Sequence, residues 1–583
     1  MVTKFLDWLQ LAKHAVEPCK YHNDLRSSLG PAQNSHEETE SAQKDLRDCI
    51  NETNENDEHD NADDEDEKDD EDVHPRCDWR TVDAILGSKY ADLVSRTCTF
   101  DDGPVKEARV FAYKKGLYHA VTFVGVMSAG KITTYVIRVP GHATKEHWTT
   151  RDAYMLQREA EIIEYIGDYT SAPVPQVCTY SAGFNNILGH PFIMMTHLPG
   201  KSAYSIWFNE ESDDAESDTC FRYGDLPSHA VEKKRITFLR SLAKIMTEIN
   251  ELKFPQIGIP HIPFDGSAPA TCGRTYYWDN AGGNDSTSRE PSSFTQDLVL
   301  ARPSSLHMSH VLKSDSKTRN YILGARKLLD LIFAQPVFNP HNAHETFTLR
   351  HSDLDLQKIL VDASGHITGI IDWDRCASAP RCIGAASAPF FLQKDWQPAY
   401  LNNLANPPHL GFTTHRYRQI YAAALAQNGC QDAKYTSKSA MYQAAVQCLN
   451  DREYGDVDDF LAKVLRCVPG FRGDVKEYIR AFGAGWPAGE RLLECHLRVI
   501  FEPEMPDGEL LREIEADHEA VDWMLAFAYE AESETQAERE YCPPCYEDWS
   551  VPSQICKNIL DEPGMESRRF GLSRRAVVVP YNQ

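Results

Sequence analysis

HSDLDLQK at residues 351–358 and IIDWD at residues 370–374 decide the fold of this 583-residue chain. The apolar runs at 359–361 and 367–371 predict two short strands, since each is bounded by turn-forming or polar residues. The DASG sequence at 362–365 predicts the turn between them. Such a hairpin carries the aspartates of the two stretches toward one edge of the structure.

Asp353 and Asp372 are the candidate chemical groups of this hairpin. Taken singly, each has an ordinary structural explanation, because aspartates commonly cap turns and end strands. Their nineteen-residue spacing, with a hairpin between them, favours a shared site.

The block resembles the catalytic core of the aminoglycoside phosphotransferase family, the small-molecule relatives of protein kinases, and reads most like the fungal members (pattern H-S-D-L-D-L-Q-N-I-L-V-D…I-D-W). The resemblance implies a bilobal α+β, protein-kinase-like fold with a small β-rich N-lobe and a large, mainly helical C-lobe. It also implies that Asp353 orients an acceptor hydroxyl, that Asp372 holds Mg²⁺, and that His351 braces the loop. Lys358 departs from the pattern, because the family has a metal-binding Asn there and an ammonium cannot coordinate a metal. Lys358 therefore either pairs with Asp353 or Asp372 and blocks the metal, or stands in for one Mg²⁺.

The sequence upstream contains the parts that a kinase N-lobe requires. Residues 110–124 predict two strands joined by a turn at Gly116, where the resembling proteins have a nucleotide-covering loop; a plain hairpin turn explains the glycine equally well. The strand at 132–139 carries Arg138, which the resemblance assigns to the phosphates and which is otherwise an exposed strand residue.

A helix over residues 152–166 follows from apolar residues at a 3.6 period. The resemblance places Glu159 on this helix as the partner of Arg138, with Glu161 as the fallback. The strand ending in residues 191–200 resembles the hinge, where backbone groups near Met195 and His197 would meet the adenine edge. A buried strand leading into a turn is the alternative at the hinge.

Beyond the hinge, an apolar stripe at 238–252 predicts a strong helix, and helical patterns recur at 311–335 and over most of 395–530. We expect an N-terminal segment at 1–76, an N-lobe at 77–198, a C-lobe at 199–545 and a tail at 546–583. Residues 261–310 are rich in Ser, Gly, Asn and Pro and predict an insertion, either over the site or on the surface.

Composition and charge limit the other functions. Fourteen of the 22 residues from 51 to 72 are acidic and one is Lys, giving −13 of the chain's net charge of −27. This tract is expected to be disordered and to solvate the chain or to bind a basic protein partner. The overall acidity argues against nucleic-acid binding.

The remaining composition favours a cytoplasmic protein. No long apolar run predicts a membrane span, and the sixteen scattered cysteines fit free thiols. Residues 1–16 contain no Arg, so mitochondrial targeting is not favoured. The CPPC sequence at 542–545 lacks a second pair at zinc-like spacing.

The resemblance implies a phosphotransferase that uses ATP and Mg²⁺ and acts on a hydroxyl of a small molecule, and the composition is compatible with it. The alternative is a pseudokinase or scaffold in which Lys358 has abolished catalysis.

Overall fold

The computed structural model describes part of the chain, and all structural statements concern that part. The described residues are 79–98, 107–128, 131–208, 227–263, 270–276, 288–299, 304–340, 344–397, 408–449 and 457–540. The acidic tract at 51–72, the CPPC sequence at 542–545 and the tail at 546–583 lie outside them. The chain divides into two compact units, Met1–Ala516 and Asp517–Gln583.

The first lobe is built around one antiparallel sheet of five strands in the order β1-β2-β3-β5-β4. One long helix connects β3 to β4, and in the described part of the chain two helices precede β1. In chain order the elements are α1 (Trp79–Asp83), α2 (Gly87–Thr97), β1 (Glu107–Lys115), β2 (His119–Ser128), β3 (Lys131–Pro140), α3 (Thr150–Tyr169), β4 (Val177–Ser181) and β5 (Phe192–Thr196).

Helix α3 covers one face of this sheet. Thr149 begins the helix with a capping box, because its side chain accepts the Asp152 N–H while the Asp152 carboxylate accepts the Thr149 N–H at 2.9 Å. Of the predicted apolar residues, Leu156, Ala160, Ile163 and Ile166 are buried, and Met155 is partly buried. The helix is longer than predicted at both ends, since the cap and the polar final turn carry no apolar signal.

The second lobe is mainly helical and contains several short strands. Its first elements are β6 (Lys201–Ser202), α4 (Ala203–Trp207), α5 (His229–Asn250), β7 (Lys253–Phe254), β8 (Ile259–His261), β9 (Thr271–Gly273), β10 (Thr275–Tyr276), β11 (Ser288–Arg289), α6 (Thr295–Leu298), α7 (Met308–Lys313) and α8 (Ser316–Phe333). The next elements carry the HSDLDLQK and IIDWD stretches: β12 (Phe347–Arg350), β13 (Ile359–Val361), β14 (Ile367–Ile370) and β15 (Ala377–Ala379). The last are α9 (Pro408–Gln427), α10 (Ala433–Thr436), α11 (Ser439–Gln447), α12 (Val457–Arg466), α13 (Val475–Gly485) and α14 (Pro487–Phe501). Helix α15 (Leu510–Glu540) follows in the chain and extends past Ala516, the last residue of the first compact unit.

The predicted hairpin of the second lobe is β13–β14, and β6 pairs with its other edge. The turn requires Gly365, whose φ is +93° and whose missing Cβ would lie 2.7 Å from the Lys234 carbonyl oxygen of α5. The Asp362 carboxylate accepts the N–H groups of Ser364 and His366, both at 2.9 Å. Turn chemistry and tight packing on α5 together fix where the two stretches lie.

Helix α5 supplies the centre of the second lobe's core. Its predicted apolar stripe is no more than 8% exposed at any position, namely Phe238, Leu239, Leu242, Ile245, Met246, Ile249 and Leu252. Ser228 begins the helix by accepting the Val231 N–H. The sheet-and-helix lobe followed by a helical lobe is the bilobal α+β, protein-kinase-like fold, and this prediction is confirmed.

Within the described residues, no helix is both long enough and apolar enough to cross a membrane. The nine cysteines there are all free thiols.

Candidate active site

Arg138 and Glu159 form a buried ion pair between the sheet and helix α3. Arg138 Nη1 donates to Glu159 Oε1 at 2.7 Å, and Nη2 donates to Oε2 at 3.1 Å. Their side chains are 10% and 5% exposed. Burial, together with the neighbouring Asp374 and Asp372, pushes the pKa of Glu159 upward, and the Arg138 charge opposes this by favouring the carboxylate with which it pairs. The structure brings the two predicted residues together, and Glu161 points elsewhere.

His119 is a neighbour of Arg138 that the sequence reasoning did not select. Its Nε2 lies 3.2 Å from Arg138 Nη2, and because the guanidinium only donates, Nε2 accepts in the neutral imidazole. Burial and the Arg138 charge hold the pKa of His119 well below its usual range. The signal was strand register, because Val121 faces Arg138 and His119 lies on the same face of β2 as Val121.

Asp372 joins the two lobes electrostatically. Its Oδ1 lies 3.0 Å from Arg138 Nη1 of β3, while Oδ2 accepts a hydrogen bond from the Lys358 ammonium. Although burial opposes it, these two cations hold the pKa of Asp372 well below its usual range. Asp372 has a backbone φ of +67°, which is a strained value for a residue other than glycine. Such backbone strain concentrates at functional sites.

Lys358 lies in a short 3₁₀ turn, Leu356–Lys358, directly before β13. Its carbonyl accepts the Ile371 N–H at 2.9 Å, so its backbone is tied to the residue preceding Asp372. Its Nζ lies 3.9 Å from the Asp353 carboxylate, beyond hydrogen-bond distance. Of the two partners that the sequence left open, Lys358 therefore bonds to Asp372.

Asp353 is the most accessible carboxylate of this group, with a side chain that is 50% exposed. His351 positions the Asp353 backbone, because His351 Nδ1 accepts the Asp353 N–H at 3.2 Å. The other ring nitrogen, Nε2, then carries the proton and donates to the Ile371 carbonyl at 3.1 Å. The His351 ring also packs edge-on against buried Trp373, with ring centres 4.8 Å apart. One buried imidazole thus links the Asp353 and Asp372 loops.

The predicted phosphate-covering turn at Gly116 is a hairpin turn between β1 and β2. The Gly116 N–H donates to the His119 carbonyl at 2.8 Å. A Cβ on Gly116 would meet only that carbonyl oxygen, at 3.5 Å, and its φ is not positive. The local backbone therefore does not require glycine here, which leaves both explanations of this residue open.

At the predicted hinge, Met195 is buried in β5 and faces Val136 of β3 and Val177 of β4. The His197 N–H donates to the Thr134 carbonyl at 3.1 Å. That donor is already used within the sheet, so a contact from His197 to a base would have to come from another of its groups.

The 256–276 segment overlaps the start of the predicted insertion, and its described parts pack against helix α3. Buried Glu161 accepts the Ile262 N–H at 3.3 Å and lies 3.1 Å from His261 Nδ1. On the other side, the Ser378 N–H of β15 donates to the Gly258 carbonyl at 2.8 Å. The segment therefore ties the helix of Glu159 to the strand that follows the Asp372 loop.

The predicted Mg²⁺ site does not fit the side chains present. Mg²⁺ requires near-octahedral oxygen coordination. Both Asp372 oxygens are bonded to cations, Arg138 and Lys358, and the Lys358 ammonium cannot itself coordinate a metal. The cluster as it stands is held by ion pairs instead.

No family model matches the chain, and no curated protein matches it. Several solved structures are similar. A macrolide 2'-phosphotransferase type I has 13% sequence identity and a TM-score of 0.29, over 64% of this chain and 94% of its own. The aminoglycoside phosphotransferase APH(4)-Ia, solved as a thermostable mutant with ADP and hygromycin B, has 16% identity and a TM-score of 0.30, over 68% and 98%. The Plasmodium vivax ethanolamine kinase Pv091845 has 12% identity and a TM-score of 0.31, over 70% and 89%.

Proposed function

We propose that the chain is an ATP-dependent phosphotransferase whose acceptor is a hydroxyl group of a small molecule. The observation that carries this proposal is the Arg138–Asp372 contact at 3.0 Å, which joins a buried cation of the first lobe to a carboxylate of the second. Such a junction suits a polyphosphate bound between a β-rich and a helical lobe. In this proposal the first lobe comprises residues 77–198 and the second comprises residues 199–545.

In this proposal Arg138, held by Glu159, and Lys358 supply positive charge to the phosphates. The turn at Gly116 covers the phosphates, and backbone groups around Met195 and His197 meet the base. Asp353 accepts the hydrogen bond of the acceptor hydroxyl and directs its oxygen toward the terminal phosphorus. Its 50% exposure leaves room for that acceptor. Positioning and charge neutralisation then account for most of the rate.

Mg²⁺ is the cofactor that the sequence resemblance implies, and when bound it would neutralise phosphate charge. Asp372 is the residue to which the resemblance assigns this ion. Because both Asp372 oxygens are already bonded to Arg138 and Lys358, no step of the proposed mechanism depends on the metal.

One observation favours a second candidate, a pseudokinase or scaffold without catalysis. The Lys358–Asp372 hydrogen bond uses the carboxylate that a catalytic metal needs. In that case the function lies in partners, including a basic protein bound by the acidic tract at 51–72.

The test is transfer of labelled γ-phosphate from ATP to a panel of sugars, amino alcohols and aminocyclitols, using the full chain with and without Mg²⁺. A working phosphotransferase labels at least one acceptor, and Asp353→Asn loses the transfer while keeping ATP affinity. Absence of labelling across the panel, together with normal ATP binding, would favour the scaffold.

A further inference from the structure

We propose that Lys358 replaces the divalent cation of this site, so that the chain binds the phosphates of ATP without Mg²⁺. The proposal deepens the proposed function and rests on it, since it concerns the same nucleotide site.

The position of the Lys358 ammonium supports this replacement. It donates to Asp372 and lies 3.9 Å from Asp353, so it stands between the two carboxylates of the site. A metal bridging Asp372 to a phosphate would have to occupy that same region. An ammonium has three N–H donors and Asp372 takes one, which leaves donors that can face a phosphate.

Several contacts hold Asp372 and its neighbouring backbone in place. Arg138 bonds one of its oxygens at 3.0 Å. The preceding residue, Ile371, donates its N–H to Lys358 and accepts a hydrogen bond from His351. Turning the Asp372 carboxylate toward a metal would break contacts to two cations while its neighbouring backbone stays anchored.

The other carboxylates near Asp372 are poorly placed to supply oxygen ligands for a metal. Asp355 accepts the Leu356 N–H at 2.8 Å and begins the 3₁₀ turn. Glu159 is fully engaged by Arg138 through two hydrogen bonds. Asp353 remains, but a metal there would lie close to the Lys358 ammonium, and like charges at that distance repel.

The charge of Lys358 also supports its replacement of the metal ion. Lysine in place of a neutral asparagine adds one positive charge next to Asp372, whereas a Mg²⁺ ion adds two. Lys358 therefore supplies, without a bound ion, part of the neutralisation that a phosphate chain needs. Removal of Lys358 should create a need for metal that the natural chain lacks.

The experiment is calorimetric titration of ATP into the full chain, once with excess EDTA and once with Mg²⁺. We expect the wild-type dissociation constants to agree within about threefold. For Lys358→Asn we expect binding that improves at least about tenfold when Mg²⁺ replaces EDTA. Lys476→Asn, the same substitution on the exposed surface of α13, is the matched control and should behave as wild type.

The outcomes separate this inference from the proposed function. Wild-type binding that requires Mg²⁺ would overturn the replacement by Lys358 and leave the nucleotide site intact. Metal-independent binding by a folded Lys358→Asn would also overturn it. Absence of ATP binding in both buffers would instead refute the proposed function. If Lys358→Asn does not fold, Lys358→Met and the wild-type comparison decide the question.

Discussion

The Lys358 ammonium and the Asp372 carboxylate are joined by a direct hydrogen bond, and Arg138 contacts the other Asp372 oxygen at 3.0 Å. A single carboxylate therefore lies between a cation of each lobe. Glu159 completes the arrangement by holding Arg138 through two hydrogen bonds.

Glu159→Gln should lower the free energy of unfolding by about 3 kcal/mol, because it removes one partner of a buried ion pair. We place the cost at the low end for such pairs because Asp372 still neutralises Arg138. Urea unfolding measures the change. Asp168→Asn, an exposed carboxylate on the same helix, is the control and should change stability by no more than about 0.5 kcal/mol. Equal effects of the two variants would contradict the importance of the buried pair.

Asp372 should give the chain a stability that depends on acid pH. Its folded-state pKa is depressed by Arg138 and Lys358, so its contribution is complete above the ordinary aspartate pKa of about 4 and is lost as the pH falls toward the folded value. We expect the stability difference between wild type and Asp372→Asn to be largest near neutral pH and to shrink below about pH 4. Denaturant unfolding at several pH values measures it. A difference that grows on acidification would contradict the ion pairing.

Gly365→Ala and Gly116→Ala form a matched pair of turn substitutions. Gly365 has a φ of +93° and no room for a Cβ, so we expect a loss of about 2 kcal/mol or more from backbone strain and the clash with α5. Gly116 has neither constraint, and its substitution should change stability by less than about 0.5 kcal/mol. Thermal unfolding compares the two. A large loss of stability in Gly116→Ala would contradict the absence of a backbone constraint at this turn.

Glu161→Ala should loosen the contact between helix α3 and the 256–276 segment. The Glu161 side chain is 2% exposed, and besides its bonds to that segment it pairs with Arg158 at 2.8 Å. Its loss leaves the buried Arg158 side chain without this acceptor, and an unsatisfied buried group costs about 1–3 kcal/mol. Hydrogen exchange of the α3 amides should accelerate, and ATP affinity should fall because Glu159 lies on the same helix. Unchanged exchange would mean that the segment merely covers the helix.

Much of the fold could be predicted because the signals were local. The apolar run at 359–361 coincides with β13, and the stripe on α5 is buried as its period implied. At the site, β3 and α3 did carry Arg138 and Glu159 to one place. The helical pattern at 311–335 was divided into α7 and α8, because Asp315 begins a new helix by accepting two N–H groups.

The rest of the site depended on long-range contacts and strain. The preference of Lys358 for Asp372 over Asp353 follows from the backbone bond between Lys358 and Ile371 and from the positive φ of Asp372, neither of which has a signature in the sequence. His119 required the register of β2 against β3. The packing of the 256–276 segment on α3 arises between residues about a hundred positions apart, such as Glu161 and His261.

A comparison of ATP with adenosine as ligands of the unmodified full chain tests whether the Arg138–Lys358–Asp372 cluster binds phosphate. We expect ATP to bind in the presence of Mg²⁺ and adenosine, which lacks the groups recognised by Arg138 and Lys358, to bind at least about tenfold more weakly. Isothermal titration calorimetry measures both affinities in one buffer. Equal affinity for the two ligands, or no binding of ATP, would contradict the assignment of this cluster as a phosphate site.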